Sequence, residues 1–194
     1  MDFTIEVREV SLKNRPSELT ELSSKSTVPV LHLQNGNVID ESLDIMFWCV
    51  KQKTDSEWKL TDLDYQKNLI TTFDTDFKLW LDKYKYHDRH PENSIEYYQE
   101  QCVLILNQFK ECLQNNRYLT GDSLQLVDAA IFPFVRQFAH VDLEWFSSRL
   151  PGLNRWLEEI KNSNLFISVM KKYKFWKSGD KPLVVNFSSD FHTV

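Results

Sequence analysis

Glu41 and Ser42 stand together after a short apolar run, His87 and His90 flank Asp88, and three cysteines, Cys49, Cys102 and Cys112, are spread along the chain. These are the residues whose types and spacing could do chemistry. A Glu-Ser pair where a strand gives way to a helix presents free backbone N–H groups and the positive end of a helix dipole to an anion. An HxxH pair without a third ligand at fixed spacing is a weak metal signal. It reads here as a solvated helix end, and no metal is expected. The cysteines lack CxxC spacing and each falls in a helical apolar pattern, so all three read as reduced core residues. Cys49, among Phe47, Trp48 and Val50, is a core position rather than a nucleophile.

The elements that must position Glu41 and Ser42 lie in residues 26–45, STVPVLHLQNGNVIDESLDI. Asn35-Gly36 predicts a two-residue hairpin turn between a strand with Val28, Val30, Leu31 and Leu33 and a second with Val38 and Ile39. Pro29 opens the first strand, where a missing N–H is harmless, and its peptide bond is a candidate for the cis form. The helix from Glu41 carries Leu43, Ile45, Met46, Trp48 and Cys49 and is expected to be well buried. Upstream, Phe3 to Val10 alternates as a half-buried strand, and Pro16 suits the first turn of a short helix with Leu19 and Leu22.

Composition sets outer bounds. The chain has 194 residues, 42% hydrophobic and 26% charged, with only 4 Gly and 6 Pro, which places it with ordinary globular proteins rather than low-complexity ones. A formal net charge of −5 argues against nucleic acid as the main partner. No apolar run reaches membrane-spanning length and MDFTIEVREV is too polar for a signal peptide, so neither a membrane nor secretion is expected, and the location expected is cytoplasmic.

Lys51 to Leu60 is polar and reads as a linker, and beyond it every pattern is helical. Asp62 to Lys85 carries an apolar stripe from Leu63 through Leu69, Ile70, Phe73, Phe77, Trp80, Leu81 and Tyr84. Asn93 or Ser94 can cap a second long helix with Tyr98, Cys102, Ile105, Leu106, Phe109 and Leu113 inward, closed at Asn115-Asn116. Asp128 sits early in an apolar helix, where a carboxylate can accept orphan N–H bonds, and Pro133 inside that helix is expected to kink it unless the start is late. Pro151 starts another helix, Leu165 to Tyr173 a last short one ending in the basic run Lys171-Lys172-Tyr173-Lys174, and an apolar tail follows. Trp80, Tyr84, Tyr97, Tyr98 and Phe134 line either a hydrophobic cleft or the core.

The TVPVL, NG and ES elements, in that order and at those separations, resemble the glutathione-binding half of glutathione transferases. YLTGDSLQLVDAAIFPFVRQFA resembles that family's buried N-capping segment, with Asp128 in a structural role, and PGLNRWLEEIKNS its next helix. In the family a Ser or Thr stands three residues before that aspartate; here it is Gln125, a poor cap, so that Ser123 substitutes with a shifted start or the cap is weakened. The resemblance implies an α/β plus all-α fold: an incomplete thioredoxin-like domain at 1–52, then an all-helical bundle at 60–194. It implies that Val28 pairs its backbone with the cysteinyl part of glutathione, with Pro29 fixing the strand. Glu41 and Ser42 would hold the γ-glutamyl end, and Lys25 the glycyl carboxylate. The activity implied is transfer of glutathione, as co-substrate, to a small hydrophobic electrophile or thiol/disulfide exchange, in a homodimer. The family opens with a strand and a helix ahead of Phe3, and that helix carries the Tyr, Ser or Cys that meets the glutathione sulfur. No residue here takes that place, so the catalytic group is unassigned. A fragment or mis-started frame, a partner chain filling the gap, and lost catalysis are the three explanations. The last makes the alternative a non-catalytic binding or scaffold protein.

Overall fold

The computed structural model describes residues 3–52 and 63–187. The chain forms two compact units, one of Met1–Ser56 with Asn164–Val194 and one of Glu57–Ser163. The first begins with β1 (Phe3–Glu6), where half-buried Phe3 and Ile5 alternate with exposed Thr4 and Glu6. It is shorter than the run to Val10 that the alternation predicts. Pro16 sits one residue ahead of α1 (Ser17–Leu22), its φ of −68° and ψ of 148° leading into a helix that buries Leu19. A hairpin of β2 (Leu31–His32) and β3 (Val38–Ile39) follows, pairing Leu31 with Ile39 and His32 with Val38. Next comes α2 (Ser42–Lys51), which buries only Val50. The expectation of a well-buried helix fails here, because two-stranded sheets give it little apolar cover; Phe3 meets Trp48 at 5.7 Å between ring centres. Cys49 and Cys112 are half-buried, so only Cys102 is a true core cysteine.

In the second unit α3 (Leu63–Thr72), a π-helical segment (Phe73–Phe77) and α4 (Lys78–Lys85) run end to end. Leu69, Ile70, Phe73, Phe77, Leu81 and Tyr84 are buried, as the apolar stripe predicts. Within the π-helical segment the hydroxyl of Thr75 donates to the Thr71 carbonyl at 2.8 Å, competing locally with the helical ladder. Ser94 caps α5 (Ile95–Leu106), its hydroxyl accepting from Tyr97 N–H at 3.3 Å. A 3₁₀ turn leads to α6 (Lys110–Asn115), and α7 (Leu126–Ala139), α8 (Leu143–Arg149) and α9 (Pro151–Lys161) complete the unit. The core is aromatic: Phe73 stacks on Phe77 at 4.6 Å, and Phe138 meets Phe77, Tyr84, Trp145 and Phe146. Tyr84 and Tyr98 are buried in it, which removes them as cleft-lining residues. The helix α7 continues through Pro133 without breaking.

The chain then returns to the first unit. The last helix, α10 (Asn164–Val169), stops four residues short of the expected end. The lysine-rich run after it is not helical, and just beyond it the backbone meets the N-terminal segment: Phe175 bridges to Glu9, and Trp176 N–H donates to Glu9 C=O at 2.7 Å. At the end, β4 (Val184–Phe187) pairs antiparallel with β1, Phe3 opposite Phe187 and Glu6 opposite Val184. Residues 164–194 thus lie with the N-terminal segment rather than with the helices that precede them.

Candidate functional site

The turn that organises the hairpin differs from the one Asn35-Gly36 predicts. Gly36 N–H donates to Leu33 C=O at 2.9 Å and Leu33 N–H to Asn37 C=O at 2.8 Å, closing a three-residue loop. Gly36 has a φ of 85°, whereas Asn35 stays at negative φ and uses its side-chain carbonyl to accept from Asn37 N–H at 3.0 Å. This is a tight turn followed by a left-handed glycine, the arrangement that creates a glycine bulge. The pairing is therefore shifted by one residue from that of a two-residue turn, and Val28-Pro29 and Glu41-Ser42 fall at the open end of the hairpin, away from the turn.

At that open end the Val28-Pro29 peptide bond is cis, and Val28 is 45% exposed. Its backbone N–H and C=O make no hydrogen bond to other described residues. Glu41 is the residue before α2, with φ −114° and ψ 131°, and Ser42 is the first helical residue. The first hydrogen bond of the helix runs from Ile45 N–H to Glu41 C=O, which leaves the N–H groups of the first turn facing outward without helical partners.

Lys25 joins this end through a network the sequence reading missed. Its ammonium donates to Glu41 Oε1 at 2.5 Å and to Asp40 Oδ1 at 3.1 Å. Asp40 Oδ2 also accepts from the buried Ser23 hydroxyl at 2.6 Å, and Ser23 Oγ in turn accepts Lys25 N–H. Glu41, followed by Asp40, raises the Lys25 pKa above its ordinary value. The Ser23 hydroxyl, then Lys25, holds the Asp40 carboxyl below the usual carboxylate range. Ser23 and Asp40 read in sequence as ordinary turn and strand-end residues. The one available signal was two adjacent acids, Asp40 and Glu41, with a single nearby cation.

In the helical unit Asp128 is fully buried at the start of α7. Its carboxylate accepts from Gln125 N–H, Leu119 N–H and the Trp156 indole N–H, each at 2.9 Å. Gln125 therefore remains the capping position, in a capping box with Asp128, and the start is not shifted to Ser123. Burial pushes the Asp128 carboxyl above its ordinary value, with the three N–H bonds opposing it. Elsewhere His90 Nδ1 lies 3.4 Å from Glu92, and among the described residues no group of three or more His, Cys, Asp or Glu is placed to hold a metal. Cys102, with burial as the cause, has its thiol pushed up to about 12.

With this geometry in view, the family comparisons are specific. The N-terminal domain of the glutathione S-transferase family matches residues 1–52 and its C-terminal domain residues 92–159. No curated protein matches the sequence significantly. Among solved structures, a class Gtt2 glutathione S-transferase of Vibrio parahaemolyticus is 20% identical with a TM-score of 0.61, covering 84% of this chain and 81% of its own. A glutathione transferase of Phanerochaete chrysosporium, solved in complex with oxidised glutathione, is 17% identical with a TM-score of 0.65, covering 79% and 76%. Glutathione transferase F7 of Populus trichocarpa is 15% identical with a TM-score of 0.63, covering 79% and 78%. These structures share the fold, a thioredoxin-like domain followed by a helical one. The chain belongs to the glutathione S-transferase family.

Proposed function

We propose that the open end of the hairpin binds glutathione and that the protein transfers it to a small hydrophobic electrophile or exchanges it with a disulfide. The observation that carries this reading is the Val28 backbone, which makes no hydrogen bond to other described residues, at the same end of the hairpin as the start of α2 at Glu41-Ser42. An extended cysteinyl residue adds to Val28 as a strand adds to a sheet edge. The Ser42 hydroxyl and the first-turn N–H groups take the γ-glutamyl carboxylate, with Glu41 beside them. Lys25 uses two of its three N–H donors on Asp40 and Glu41, which leaves one for the glycyl carboxylate. Catalysis in this scheme consists of lowering the pKa of the bound thiol, since the thiolate is the nucleophile. The protein works in the cytoplasm as a homodimer in this reading.

Titration calorimetry with reduced glutathione tests the seat. Ser42→Ala is expected to weaken binding about tenfold, the worth of one charge-assisted hydrogen bond. No heat with the wild-type protein, or an unchanged constant in the variant, sinks the proposal. Conjugation of an aryl halide in the same preparation separates a transferase from a binding or scaffold protein that keeps the seat without the chemistry.

A further inference from the structure

We propose that the stretch from Ile167 to Lys181 is a docking surface for anionic phospholipid membranes. Residues 164–183 contain five lysines, Lys171, Lys172, Lys174, Lys177 and Lys181, and one acid, Asp180, in a chain whose net charge is −5. Interleaved with them are apolar side chains held out in solvent: Ile167 is 60% exposed, Val169 54%, Met170 48% and Phe175 56%. Asp180 is committed to its own turn, accepting Lys177 N–H at 3.0 Å, and reaches Lys174 only at 3.9 Å. Among the described residues Lys172, Lys177 and Lys181 form no ion pair, and Lys171 lies over the ring of Tyr173.

The stretch is anchored rather than trailing. Trp176 N–H is bonded to Glu9, Val7 N–H to Leu183 C=O at 2.8 Å, and the Arg8 guanidinium lies 4.7 Å from the Trp176 ring centre. The backbone at Trp176 and Leu183 is thereby held against residues 7–9, which displays Lys177 and Lys181 on a fixed segment next to Lys171, Lys172 and Lys174. Crossing a bilayer and lying on one are different physical demands. No helix among the described residues is long and apolar enough to cross, whereas interfacial binding needs only exposed apolar side chains beside cationic ones. The cations are all lysine. Specific phosphate or carboxylate recognition favours the planar fork of arginine, while compact ammonium groups suit a diffuse anionic surface. The exposed Ile167, Met170 and Phe175 have no task on a phosphate backbone, but they can enter the headgroup boundary.

Co-sedimentation of the full chain with vesicles tests this, using phosphatidylcholine alone and phosphatidylcholine with an equal part of phosphatidylserine. Binding is expected to the mixed vesicles only, and to weaken as salt is raised. The triple variant Lys171→Gln, Lys172→Gln, Lys174→Gln is expected to bind about a hundredfold more weakly, at roughly fivefold per lysine near an anionic surface. Its far-UV circular dichroism should match wild type, since all three side chains are on the surface. A second variant, Ile167→Ser with Phe175→Ser, should also weaken binding. The proposal is overturned by absence of binding at low salt, by equal binding to both vesicles, or by unchanged binding of the lysine variant. Retention of polyglutamate or duplex DNA without retention of vesicles overturns it as well, and assigns the lysines to an acidic macromolecule.

Discussion

Asp128 draws together three N–H groups from separate parts of the helical unit: the loop at Leu119, the cap at Gln125 and the indole of Trp156 on α9. Asp128→Ala leaves these buried donors without an acceptor and is expected to cost about 3 kcal/mol, read from urea denaturation. The pH dependence has a definite sign. Burial raises the folded-state pKa of Asp128 above its ordinary 3.8, so the folded protein holds the proton more tightly than the unfolded chain. That contribution is fully present below pH 3.8 and is lost as pH rises through the higher folded value. Relative to Asp128→Asn, which does not titrate, the wild type should therefore lose stability as pH rises through that window. A difference between the two denaturation midpoints that widens in favour of wild type with rising pH would contradict this. The role of Asp128 was legible because an acid opening an apolar helix has few other uses. The Ser23–Asp40–Lys25 network was not, because its members are 15 and 17 positions apart and each has an ordinary local reading.

The hairpin shows where local chemistry is a sufficient guide and where it is not. The apolar runs on either side of Asn-Gly located both strands, though the first is shorter than its run, Leu31–His32 only, and the same dipeptide serves two turn geometries. The three-residue loop needs positive φ only at Gly36, and that relieves Asn35 of strain. Since a Cβ on Gly36 would meet nothing within 4 Å, Gly36→Ala should cost only the left-handed backbone, about 1 kcal/mol by thermal denaturation. A cost above about 3 kcal/mol would mean that the residue has another task. The long helix of Leu63 to Lys85 was legible from its apolar stripe, whereas its π-helical segment was not. Phe73 and Phe77 both point inward at a spacing that an ordinary helix also provides, so the extra residue in the turn leaves no trace in the pattern. The overestimated burial of α2 has a similar origin: apolar composition reports a demand for cover, not its supply.

At the scale of the whole molecule the largest surprise was the partner of β1. A short apolar segment such as β4 carries no register signal of its own, and its partner lies at the other end of the chain. If that pairing sustains the first unit, deleting residues 183–194 should speed hydrogen exchange at the Ile5 and Val7 amides. Val103, Leu106 and Ile131 in the helical unit should keep their protection. Uniform loss of protection would mean that the two units unfold as one. Thr4 and Asn186, joined side chain to side chain at 2.7 Å, are 182 positions apart. On the ribosome this separation becomes a delay. The helical unit is continuous from Glu57 to Ser163 and can fold as soon as it clears the exit tunnel, while β1, made ahead of it, must wait until β4, made after it, emerges. Through that interval the nascent chain carries an unpaired strand, the kind of segment a chaperone shields.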